Sequence, residues 1–172
     1  WADDCVHVST ALIKFADRKL ATRKGDVIFA KEVIDEAIDK TAKIIESKNP
    51  NLTDKDLIAK QVGIGAIIYT FLKNSRERDV VFSWEETLSF EGESGPYVQY
   101  SYVRGSSILK KAGEINKNAD LSVLSTEDEF ALVKLLGSFG DALKEAAERY
   151  EPFVITRYVT ELAKAYNKFY NS

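Results

Sequence analysis

The chain has one cysteine, one histidine, three prolines and no methionine. A lone Cys5 excludes an internal disulfide framework and a cysteine-rich zinc site. A lone His7 excludes a histidine-pair metal centre and argues against a Ser-His-Asp triad, so no metal site is expected. Charge of one sign is also missing. The 24 Lys and Arg stand against 27 Asp and Glu, a net charge of −3. That rules out a protein that coats nucleic acid through bulk basicity and leaves room for a local basic patch. No apolar run approaches the roughly 18 residues that cross a bilayer, and no signal peptide opens the chain. A reduced, cytoplasmic compartment and no membrane partner are expected. The missing methionine, at position 1 as elsewhere, points to a processed, truncated or engineered sequence.

What is present is a globular mixture. The 172 residues are 45% hydrophobic, 30% charged and 11% aromatic, enough for one domain or two small ones. Val6 and Val8 alternate with polar neighbours and suggest a strand over 5–16, with His7 hydrogen-bonded in it and Cys5 buried as a small hydrophobe. Residues 17–26 are charged and end at Gly25, so they read as an exposed loop. From about 30 the apolar period becomes helical. Val33, Ile34, Ala37, Ile38 and Ile45 form one stripe, stopped by Asn49 and Pro50. Thr53 with Asp56 is read as a near capping box for the next helix, which contains Gly63 and Gly65. Two glycines inside a helix cost about 1 kcal/mol each against alanine, and close helix–helix approach is a reason to keep them.

Residues 74–79 read as a polar turn and 80–82 as a short apolar segment. Ser83 caps a short helix, and Phe82 and Trp84 are core candidates. Arg76 and Arg78 are read either as RNA-backbone contacts or as local ion pairs with Glu77 and Asp79. After Gly92, Gly95 and Pro96, a long helix runs from Tyr97 to about Ala112 with Tyr97, Tyr100 and Arg104 on one face. A polar linker over 113–124 precedes Thr126 and Glu129, a capping box. That helix is expected to run to about Phe139, where Gly140 breaks it and Asp141 caps the next. Pro152 begins the last helix, which carries Tyr158, Tyr166 and Tyr170.

Three stretches together resemble the class I arginyl-tRNA synthetases. Cys5 to Val27, with Arg18-Lys19-Leu20-Ala21-Thr22-Arg23-Lys24-Gly25, resembles the strand and loop of the Lys-Met-Ser-Lys-Ser signature. The second stretch, Asn74 to Leu109, is the most specific. The third, Glu151 to Tyr170, is similar to the family's helical anticodon-binding domain. The implied fold is mainly α: a helical bundle preceded by a short β/loop remnant of a Rossmann-like catalytic domain. The implied domains are 1–27 for the catalytic end, 28–92 for a helical connecting region and 93–172 for the anticodon-binding bundle.

The resemblance implies ligation of arginine to its tRNA, with ATP and Mg2+ used by the whole enzyme. Lys19, Arg23 and Lys24 are the implied catalytic residues, and Lys19, Thr22 and Lys24 the implied ATP contacts. Cations there stabilise charge that develops on the triphosphate. Arg18, Leu20 and Ala21 depart from the usual Gly, Met and Ser, and Ala21 removes a hydroxyl. Tyr97, Tyr100, Arg104, Tyr166, Asn167 and Tyr170 are the implied RNA-binding residues, suited to stacking on flipped bases and bonding their edges. The His-Ile-Gly-His-type motif and the arginine pocket are not in this sequence. The chain alone is therefore expected not to aminoacylate and to bind no cofactor tightly. Its expected partners are arginine tRNA and the catalytic half that it lacks. A monomer is expected, with a dimer through an apolar face of the last helix as the alternative. The competing readings are a non-catalytic RNA-binding module and a redesigned helical scaffold.

Overall fold

The structure, a computed structural model, describes residues 1–15, 28–114, 116 and 118–172. Seven α-helices and two three-residue strands carry the described chain. The strands are β1 (Ile13–Phe15) and β2 (Val80–Phe82), and the first helices are α1 (Ala30–Lys48), α2 (Lys55–Leu72) and α3 (Trp84–Thr87). β1 and β2 pair in parallel, Ile13 opposite Val80 and Phe15 opposite Phe82. Parallel pairing needs a crossover, and α1 and α2 provide it. The strand expected over residues 5–16 is thus confined to its last third. Val6 and Val8 are exposed, His7 lies outside any strand, and Cys5 is exposed rather than buried. Only the stretch facing β2 gains ladder bonds. Leu12 accepts from Val80 N at 2.9 Å and Ala11 N donates to the Arg76 carbonyl at 2.7 Å.

The core of this half is small and aromatic. Phe82 is 2% exposed, with Phe15 at 5.0 Å between ring centroids, Trp84 edge-on at 4.8 Å and Phe71 at 6.2 Å. Val33, Ala37 and Ile67 complete the cluster, and Phe15 and Ile28 pack against it from either side of residues 16–27. α2 is the central helix because small residues let two neighbours approach it. A Cβ on Gly63 would stand 3.0 Å from the Ala37 carbonyl carbon of α1, so the expected close approach is real. The Thr53 cap is not. Asp54 occupies the N-cap in left-handed geometry (φ 57°) with no side-chain cap.

The second half holds α4 (Gly95–Ala112), α5 (Glu127–Gly137), α6 (Phe139–Glu148) and α7 (Phe153–Asn171). α4 starts at Gly95, two residues earlier than the sequence suggests, because Ser94 caps it and accepts from Tyr97 N. The glycine sits against α2: a Cβ there would be 2.8 Å from Ala66 Cα. Thr126 and Glu129 form the expected capping box of α5. The break that follows falls at Ser138 and not at Gly140, so Asp141 lies in the first turn of α6 and does not cap it. α6 ends in a Schellman turn in which Glu151 N donates to the Ala146 carbonyl and Tyr150 N to that of Ala147. Tyr150 takes the left-handed position (φ 51°) that glycine usually fills. That turn puts Glu151 inside the protein, 6% exposed. No helix is long and apolar enough among the described residues to cross a membrane.

Candidate nucleic-acid interface

α4 and α7 meet along a seam that buries polar residues. Asn167 is 9% exposed. Its amide nitrogen donates to Ser101 Oγ at 2.7 Å, and its carbonyl oxygen accepts from Arg104 Nη1 at 2.7 Å. Arg104 Nη2 donates to Asn171 Oδ1 at 3.1 Å. Ser101 in turn donates to the Tyr97 carbonyl, so its lone pairs face the asparagine. Two asparagines one helical turn apart therefore fix the plane of the guanidinium by its two outer nitrogens.

Two tyrosines stand beside that group. The Arg104 guanidinium carbon lies 3.6 Å from the centroid of the Tyr170 ring and 5.6 Å from that of Tyr100. Stacking of this kind is worth about 0.5–2 kcal/mol, depending on desolvation. Both rings remain about half exposed, Tyr100 at 52% and Tyr170 at 46%. The result is a cation held in place beside two aromatic rings that are partly open to solvent. Two of its five N–H groups are committed to asparagines. The arrangement suits a flat, polar-edged ligand such as an unpaired base.

The six RNA candidates from the sequence do not all meet here. Tyr100, Arg104, Asn167 and Tyr170 form the cluster. Tyr166 neighbours Tyr170, with ring centroids 6.2 Å apart, but faces inward. Its hydroxyl is buried without a partner, and a Cβ on Gly105 would lie 3.6 Å from it. Tyr166 lines an apolar cavity of about 290 Å3 together with Tyr102, Leu132 and Leu162. Tyr97 sits half-buried near the start of α4. There Glu93 accepts from Lys164 Nζ at 2.6 Å, a contact that holds the Glu93 carboxyl below the usual carboxylate range and raises Lys164. Sequence reasoning missed Asn171 and Ser101. The i, i+4 spacing of Asn167 and Asn171 was the available signal for the first, and nothing marked the second. It also passed over Tyr102, which is 76% exposed.

The loop candidates Lys19, Thr22, Arg23 and Lys24 lie outside the described residues. In the turn over 74–79, the ion-pair reading of Arg76 holds, with Glu77 at 3.3 Å. Asp79 instead bonds Lys14 and Leu12 N on β1, and those bonds hold its carboxyl below the usual range. Among the described residues no group of three or more His, Cys, Asp or Glu is placed to hold a metal ion.

A small parallel sheet joined to a helical bundle is the arrangement of a catalytic-domain fragment followed by the helical anticodon-binding domain of a class I aminoacyl-tRNA synthetase. Comparison with known proteins agrees. Residues 3–84 match the family described as tRNA synthetases class I (R), catalytic domain, and residues 98–172 match the DALR anticodon binding domain. The chain is 57% identical over all 172 residues to the arginine–tRNA ligase of Clostridium botulinum (strain 657 / Type Ba4) and 55% identical to that of Clostridium acetobutylicum. It spans about 31% of the length of these relatives. Its fold superposes on the arginyl-tRNA synthetase of Thermus thermophilus with a TM-score of 0.87 at 37% identity, covering 96% of this chain and 27% of that one. The Plasmodium falciparum enzyme shares the fold, with a TM-score of 0.75. The chain belongs to the class I arginyl-tRNA synthetase family.

Proposed function

We propose that this segment reads the anticodon of arginine tRNA on behalf of an arginine–tRNA ligase, which converts arginine, ATP and tRNA to arginyl-tRNA, AMP and pyrophosphate in the cytoplasm. The observation that carries the reading is the Arg104 guanidinium, fixed by Asn167 and Asn171 over the Tyr170 ring and near that of Tyr100, both half-exposed. A flipped base stacks on Tyr100 or Tyr170, and the free N–H edge of Arg104 bonds its acceptors or a neighbouring phosphate. Asn167 acts through Arg104: both ends of its amide are already bonded within the protein. By resemblance, Lys19, Arg23 and Lys24 are assigned to supply positive charge to the ATP phosphates and Thr22 a hydroxyl. ATP with Mg2+ supplies the activating phosphoanhydride when bound to the whole enzyme.

A binding titration of this chain with three RNAs tests the proposal: arginine tRNA, the same tRNA with its middle anticodon base changed, and an unrelated tRNA, at two salt concentrations. The expected result is tight binding to the first and a loss of about 1–3 kcal/mol on the base change. Equal, weak binding to all three that vanishes with salt would mean phosphate attraction alone and would refute anticodon reading. The chain by itself is expected to give no arginine-dependent ATP–pyrophosphate exchange.

A further inference from the structure

Glu151 forms a polar clasp between the catalytic-domain and anticodon-binding parts of the chain. It stands between α6 and α7, yet both of its carboxylate bonds go to the turn over 74–79. Oε2 accepts from Ser75 Oγ at 3.0 Å and Oε1 from Arg76 N at 3.2 Å. The side chain is buried, and among the described residues no lysine or arginine bonds it. Burying a carboxylate without a cation is costly, so its place here calls for a role beyond filling space. Glu151 also moves with α7, because its carbonyl accepts from Val154 N in the first turn at 3.1 Å.

Arg76 passes the grip on. Its carbonyl accepts from Ala11 N at 2.7 Å, and its Nη1 donates to the Ser9 carbonyl at 2.9 Å and to Ser9 Oγ at 3.0 Å. Further along the same turn, Asp79 accepts from Leu12 N at 3.0 Å and bonds Lys14. Among the described residues no hydrogen bond joins α4–α7 directly to residues 1–14, so the turn is the bridge. β1 has three residues and one partner strand, too little to fix its own place.

We propose that Glu151 is a positioning residue for the ATP end of the reaction. Through Ser75 and Arg76 it sets where residues 9–14 stand against the bundle, and with them the approach to Lys19, Arg23 and Lys24. Lys19 follows Phe15, the last residue of β1, by four positions. The inference rests on the assignment of those three cations to the ATP phosphates. It adds that a side chain of the anticodon-binding part tunes the use of ATP.

Two measurements test it. The first is amide hydrogen exchange in the 172-residue chain. Glu151→Ala should speed exchange at Ala11 about tenfold and leave the amides of α1 and α5 as in the parent. Glu151→Gln should restore most of the protection, since its carbonyl still accepts from Arg76 N and its amide can donate to Ser75 Oγ. Unchanged exchange at Ala11, or faster exchange spread over the whole bundle, would overturn the clasp. The second is steady-state aminoacylation by a full-length arginine–tRNA ligase carrying this segment, with Lys19→Ala alongside. Glu151→Ala should raise KM for ATP several-fold with KM for arginine and tRNA unchanged, and Glu151→Gln should recover it. A merely structural loss lowers the active fraction and leaves all three KM values in place. ATP use altered by Lys19→Ala but not by Glu151→Ala would overturn the inference and leave the loop assignment standing. ATP use altered by neither would refute the assignment and the inference with it.

Discussion

The half built from β1, α1, α2 and β2 closes chiefly over aromatic rings and alanines, with Thr41, Thr70 and Thr87 buried among them, whereas α4 and α7 bury Ser101, Thr156, Thr160 and Asn167. In the first half the interior makes stability. Phe82 touches three other rings, and Ala37, Ala59 and Ala66 have no exposed surface. In the second the buried groups spend their bonds on geometry. Thr160 donates to the Thr156 carbonyl, which leaves Tyr69 as the donor in the 2.7 Å hydroxyl contact that ties α2 to α7. Asn167 fixes Arg104. A polar seam of this kind adds little net stability for each bond but leaves few alternative packings, since any slip strands a buried donor. The apolar half anchors; the polar half aims a side chain at a ligand.

Core truncation should separate the halves most strongly. Phe82→Ala removes the ring that Phe15, Phe71 and Trp84 share, and is expected to cost about 3–5 kcal/mol in denaturant melts. Next is Gly95→Ala. Its new Cβ meets α2 backbone, which cannot swing aside, so about 1–3 kcal/mol is expected, with α4 displaced at its start. If this variant melted like the parent, the close approach of α4 to α2 would be wrong.

Much of this organisation is legible in the sequence, and the limits are physical. The stripe from Val33 to Ile45 and the Thr126–Glu129 box give α1 and α5 because helical signals are local. β2 is three residues long, and its partner lies 67 positions earlier, so neither strand announces its mate. Asp54 and Tyr150 adopt left-handed geometry without a glycine to mark it. Of the candidate site, Tyr100, Arg104, Asn167 and Tyr170 are legible through family resemblance. The inward turn of Tyr166 was not, because it depends on how α4 packs on α7.

The smaller predictions sharpen the contrast at its edges. Tyr150→Gly relieves the left-handed residue at the end of α6 and should raise stability by up to about 1 kcal/mol in thermal melts, a gain reduced by glycine's freer unfolded chain. A drop would mean that the half-exposed ring packs for stability. The Glu93–Lys164 pair is at least half exposed on both sides, so Lys164→Met should cost only about 0.2–1 kcal/mol near neutral pH. Glu93 is held below its unfolded value, so its share is present above that value and fades as pH falls through the folded one. Lys164 is raised, so its share persists below the usual lysine range and fades as pH rises through the folded value. Melts of the parent and Lys164→Met chains should converge in acid. A difference that persisted there would assign the effect to packing of the lysine stem.

The account turns on Arg104 acting as a fixed, planar fork and not as a mere positive charge. Arg104→Lys keeps the charge but can neither bridge Asn167 and Asn171 nor stack flat on Tyr170. The most direct measurement is its titration with arginine tRNA and the middle-base variant across salt. The account predicts that the roughly 1–3 kcal/mol preference collapses while the salt slope stays as in the parent. An undiminished preference would contradict it, and so would a slope that falls with the preference intact.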